Sequence, residues 1–131
     1  MKNTNSDKSE EIKYIDYQVI ISVISIIIVI LSITLLYNEQ AYLKFKKYII
    51  SPKKAKRLSI FNRTLALITA IAFLYINYKL YVISKEENED LKTYKLQIAA
   101  SILTVIASLI VLYVATTSSI ESIGDVENPV I

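Results

Sequence analysis

The chain has 131 residues, 53% of them hydrophobic, with one Gly, two Pro, no Cys, no His and a net charge of +3. A soluble domain of this length could not bury three long apolar runs in the core it is able to build. Without Cys or His there is no thiolate nucleophile, disulfide or thiolate-held metal, and neither the usual general base nor the commonest metal ligand. The thirteen Lys outnumber the two Arg, and Ile, Asn and Tyr are heavily used. Their codons are AT-rich, which points to a bacterial genome of low GC content.

Residues 1–16 form a polar tail, with Lys2, Lys8 and Lys13 set against Asp7, Glu10, Glu11 and Asp16. Its composition predicts disorder up to the first apolar run. Residues 17–37 predict the first transmembrane helix. Val19–Leu36 carries no charge, and Tyr17 and Tyr37 bracket it about 30 Å apart at helical rise, where interfacial aromatic anchors belong. The Tyr37-Asn38-Glu39-Gln40 sequence that follows offers no small-residue cleavage site, so the span is expected to be retained rather than removed as a signal peptide.

Residues 38–60 make a basic connector. Ala41, Tyr42, Phe45, Tyr48 and Ile49 share an arc at helical spacing, with most lysines outside it. This predicts a short basic interfacial helix between the first two spans. Lys44, Lys46, Lys47, Lys53, Lys54, Lys56 and Arg57 are the candidate contacts to anionic lipid headgroups. A plain extension of the helix into a solvated basic turn is the alternative. Ser51-Pro52 reads as an N-cap followed by a first-turn proline that restarts the helix.

Residues 61–83 predict the second span, with Asn62, Arg63, Asn77 and Lys79 within it. Arg63 and Lys79 lie near the two ends, from which long side chains reach the headgroups. Arg63, Ala66, Ala70, Asn77 and Tyr81 fall on one stripe, and small and polar residues in a membrane helix face other helices. Residues 84–94 form a charged loop. Its four carboxylates lack the central Gly and alternating spacing of an EF-hand, so no metal site is expected. Residues 95–117 predict the third span. Gln97, Ala100, Thr104, Ala107, Ser108, Val111 and Ala115 form its small-residue stripe, and Ile102, Leu103, Ile106, Leu109, Ile110 and Leu112 suit lipid. The proposed packing face is therefore Ala66, Ala70 and Asn77 against Ala100, Thr104, Ala107 and Ser108. The first span repeats the pattern more weakly in Ser22, Ser25, Val29 and Ser32. Residues 118–131 close the chain as an acidic tail without basic residues.

The fold class that follows is an all-α integral membrane protein with three transmembrane helices in a small bundle. Three spans put the termini on opposite sides. Eight Lys and Arg cluster around the connector, against seven scattered among eight carboxylates on the other side. Their density favours a cytoplasmic connector and C-terminus, with the N-terminus outside, in the cell membrane. No catalytic residues, cofactor or nucleic-acid partner are expected, because no carboxylate lies within a span, no base accompanies the hydroxyls, and no reader motif accompanies the lysines. The expected partners are the bilayer, above all its anionic lipids, and either further copies of the chain or a larger membrane complex. The leading reading is a non-enzymatic accessory or structural component. The alternative is an oligomeric pore former. In size, in its three spans and in the expected orientation the chain resembles holins, although its acidic tail differs from the basic tail usual there and no motif carries the likeness.

Overall fold

A computed structural model describes residues 4–86 and 90–117, with side chains from Lys8 onward. The acidic tail expected over 118–131 lies outside the described residues, as do 87–89 of the charged loop. The described chain is all-helical: α1 spans Thr4–Phe45, α2 Pro52–Glu86 and α3 Lys92–Thr117. Each is long and apolar enough to cross a membrane.

Helix α1 is 42 residues long and takes in most of the polar tail, where disorder was expected. Nucleation is the costly step of helix formation, and adding a residue to an existing helix costs little. The apolar run supplies the nucleus, and Glu10 and Glu11 lie in the early turns, where carboxylates suit the helix dipole.

The short basic helix expected between the first two spans does not form a separate element. Helix α1 runs on through Lys44 to Phe45, and only residues 46–51 separate it from α2. Lys46 turns the chain with a positive φ of 53°, and its N–H donates to the Tyr42 carbonyl at 2.7 Å. The ring of Tyr48 stacks on that of Tyr42 with centroids 4.1 Å apart and planes 3° from parallel. The buried Asn38 side chain fixes the return. Its Oδ1 accepts from the N–H groups of Ile49 and Ile50 at 2.9 and 2.8 Å, and its Nδ2 donates to the Ile50 carbonyl at 3.3 Å. These local bonds satisfy backbone groups that an interfacial helix would otherwise have paired internally. The Ser51 carbonyl then accepts from the Ala55 N–H at 2.9 Å, so α2 starts at Pro52 as the Ser-Pro pair predicts.

Below this turn Leu35, 1% exposed, packs with Ala55, Leu58 and Ile50. At the far end the Asp90 carboxylate accepts from the Lys92 N–H at 3.0 Å, and the Leu91 carbonyl accepts from the Lys95 N–H at 2.9 Å, opening α3. Helix α2 packs against both α1 and α3, whereas no Cα of α1 comes within 8 Å of α3 among the described residues. The helices thus form an open layer with α2 in the middle.

Candidate functional site: a polar groove between the outer helices

Because α1 and α3 meet α2 but not each other, one face of the layer is a groove floored by α2. Two adjoining cavities occupy it, of about 360 and 190 Å³, and both are lined by Ala70, Phe73 and Thr104. The larger is completed by Gln18, Asn77, Gln97, Ala100 and Ser101. The smaller reaches Ser25, Ser32, Arg63, Thr69 and Ser108. Carboxamides and a hydroxyl therefore line one end of the slot and hydroxyls with a guanidinium the other, with Ala70, Phe73 and Thr104 between them.

Two hydrogen-bonded clusters hold the walls in place. In the first, Gln18 Nε2 donates to Asn77 Oδ1 at 3.2 Å and Asn77 Nδ2 donates to Ser101 Oγ at 2.6 Å. Ser101 Oγ in turn donates to the Gln97 carbonyl at 2.8 Å, so one chain of bonds joins α1, α2 and α3. In the second, Asn62 Nδ2 donates to Ser32 Oγ at 2.9 Å and to the Ile28 carbonyl at 3.2 Å. Arg63 Nη2 donates to the same Ser32 oxygen. Fifteen helical steps separate Asn62 from Asn77, which puts the two clusters roughly 22 Å apart along α2.

Arg63 keeps its place on the helix-facing stripe but not the outward reach expected of its side chain. Instead of reaching outward to headgroups, it is 2% exposed and points between α1 and α2. Antiparallel packing places Ser32 opposite it, and a guanidinium bonded to a hydroxyl within the protein is better solvated than one held against apolar side chains. Lys79, half-buried, keeps its ammonium 5.5 Å from the centre of the Tyr75 ring.

The residues expected on the packing face divide between helix contacts and the groove. Ala70 and Ser108 are buried, and Ala66, Asn77 and Ala107 are half-buried. Ala100 and Thr104 remain exposed on the groove wall. On α3 Ser108 and Ala115 of the expected stripe are buried, and Ser101, next to the exposed Ala100, takes the buried place beside Asn77. The basic residues do not converge on a site. Lys44 lies in the last turn of α1, Lys46 and Lys47 lie in the turn that follows, and Lys53, Lys54, Lys56 and Arg57 stand on α2; all are exposed except the half-buried Lys56. No family model, curated protein or solved structure matches the chain.

Sequence reasoning missed the roles of Gln18, Asn38, Asn62 and Ser101. Asn62 and Gln18 carried a usable signal, since a carboxamide at the edge of an apolar run needs a partner. Asn38 carried none, because its partners lie eleven and twelve residues ahead in a turn that only the folded chain defines.

Proposed function

We propose that this is a multi-pass protein of a bacterial cell membrane, a non-enzymatic accessory or structural component that packs through its polar groove with further copies of itself or with a larger membrane partner. The observation that carries this reading is the open groove with Gln18, Asn77, Gln97 and Thr104 along it. Hydrocarbon offers no hydrogen bonds, so polar groups within a bilayer are stabilised by facing another helix or water rather than lipid. The opposite face of α3, with Leu103, Leu109 and Ile110 exposed, suits acyl chains.

In this reading the basic turn lies at the anionic inner leaflet, with the N-terminus outside and the C-terminus cytoplasmic. Leu43 and Phe45, 71% and 72% exposed, sit among Lys44, Lys46 and Lys47, a mixture that suits an interface where apolar and ammonium groups are both solvated.

The absence of native Cys allows a direct test. Single substitutions Ala100→Cys and Thr104→Cys on the groove wall, and Leu103→Cys and Leu109→Cys on the opposite face, are cross-linked in native membranes. Products at the first pair and none at the second are expected, and mass spectrometry identifies the captured chain. Equal products at both pairs, or none at the groove, would overturn the reading.

The same polar lining supports a second reading, an oligomeric pore in which the groove faces water. Here Thr104→Cys would react rapidly with a membrane-impermeant thiol reagent, and expression would depolarise cells. A groove sealed by another helix leaves that thiol unreactive and the membrane intact.

A further inference from the structure

On the opposite side of the α1–α2 seam from the polar groove lies a second feature, sharing no residue with it. A slot of about 210 Å³ is lined only by Tyr17, Ile20, Ile21, Ala72, Tyr75 and Ile76. An aromatic cluster stands at its mouth. The Tyr14 ring meets Tyr17 edge-on at 6.1 Å and Tyr75 edge-on at 6.4 Å. Lys13 Nζ lies 6.0 and 5.9 Å from the centres of Tyr14 and Tyr17, and Lys79 Nζ lies 5.5 Å from that of Tyr75. One ammonium from each helix is thereby gathered around three touching rings, directly above a wholly apolar slot.

Among the described residues neither lysine is held in an ion pair. Asp16 falls about 60° beyond Lys13 around α1, on the side away from α2, and Glu10 lies a turn before Tyr14. Cation–π contact leaves an ammonium able to take an anionic oxygen as well. Tyr17 marks the start of the uncharged run of α1, so the lysines stand at its edge and the slot runs inward along it.

We infer that this slot binds one anionic phospholipid, its phosphate between Lys13 and Lys79 and an acyl chain along Ile20, Ile21, Ala72 and Ile76. Charge complementarity at the mouth and apolar lining below it match the two halves of such a molecule. A free phosphate would gain nothing from the slot, and a zwitterionic lipid would bring its own quaternary ammonium against the two lysines, which an anionic headgroup does not. The inference rests on the membrane reading above. It concerns the end of the bundle opposite the basic turn, and so the other leaflet.

The test uses the whole chain in vesicles. It has no Trp, so Ile20→Trp places a sole indole in the slot, and Ile106→Trp places one on the exposed face of α3 as a control. Quenching is compared between vesicles doped with acyl-brominated phosphatidylglycerol and with acyl-brominated phosphatidylcholine. Each lysine near an anionic surface favours binding roughly fivefold. Preferential quenching by phosphatidylglycerol is therefore expected at Ile20→Trp and not at Ile106→Trp. It should vanish in K13Q/K79Q and persist in K13R/K79R. Equal quenching by both lipids, an equal preference at Ile106→Trp, or a preference that survives K13Q/K79Q would overturn the lipid site and leave the membrane reading standing. Quenching by neither lipid at either position would overturn both.

Discussion

Asn38 is the residue whose removal should tell most about how the two basic segments are held. Its side chain is 3% exposed and makes three hydrogen bonds to the backbone of Ile49 and Ile50. In Asn38→Ala two N–H groups and one carbonyl of the part-buried turn lose their partner at once. A net hydrogen bond contributes about 1 kcal/mol, and a buried group left unpaired costs about 1–3 kcal/mol. Since an opened turn is hydrated, the local cost should settle near 2–3 kcal/mol. The side chains of Lys46 and Lys47 are exposed already, but the folded turn keeps their backbone from the extended form that trypsin cuts; opening releases it, and cleavage under fast reclosing tracks the open population. A loss of 2–3 kcal/mol then raises nicking in micelles roughly 30- to 150-fold, with fragments ending at Lys46 or Lys47 identified by mass. Asn38→Asp keeps the oxygen that accepts from both N–H groups and loses only the 3.3 Å donation, so it should remain within about tenfold of the parent. The reasoning is refuted if Asn38→Ala is as resistant as the parent, or if Asn38→Asp is cut as fast as Asn38→Ala.

Ser32 accepts from both Asn62 and Arg63, so Ser32→Ala and Asn62→Ala should each destabilise the bundle by about 1–2 kcal/mol in micelles. The double variant should cost clearly less than the sum, because one bond is shared; strict additivity would deny the coupling. Leu35→Ala should destabilise by about 1–3 kcal/mol, the low side for a buried leucine, because hydrocarbon solvates the exposed side chain in the proposed bilayer and only the cavity term remains. Unfolding titrations measure both. Replacing Lys53, Lys54, Lys56 and Arg57 with Gln should mix or invert the orientation, read by labelling single cysteines at Ser9 and Gln40 from either side. An unchanged labelling pattern would remove those four charges as the determinant of topology.

How much could be read in advance differs by residue. The three helices were legible because long uncharged runs have few alternatives, and Ser51-Pro52 marked the start of α2 correctly. The connector left an interfacial helix and an extension of the first helix as alternatives, because its apolar arc is equally satisfied by the last turns of α1 and a stacked tyrosine pair. The choice depended on Asn38, whose contribution is invisible until Ile49 and Ile50 fold back onto it. On α3 the stripe of small residues located the right side of the helix. It could not separate residues that touch α2 from those that line a groove, since both positions favour small and hydroxylated side chains.

The sequence by itself determined the number and type of the elements and the separation of the basic turn from the charged loop. Those features depend on local composition, on hydrogen bonds four residues apart, and on the spacing of charges along one chain. Only the tertiary structure decided that α2 stands in the middle, that Arg63 turns inward to Ser32, and that Gln18, Asn77 and Ser101 join three helices. Each of these depends on which residue of one helix lies level with which residue of another. That register is set by the summed packing of whole faces, and no local pattern encodes it.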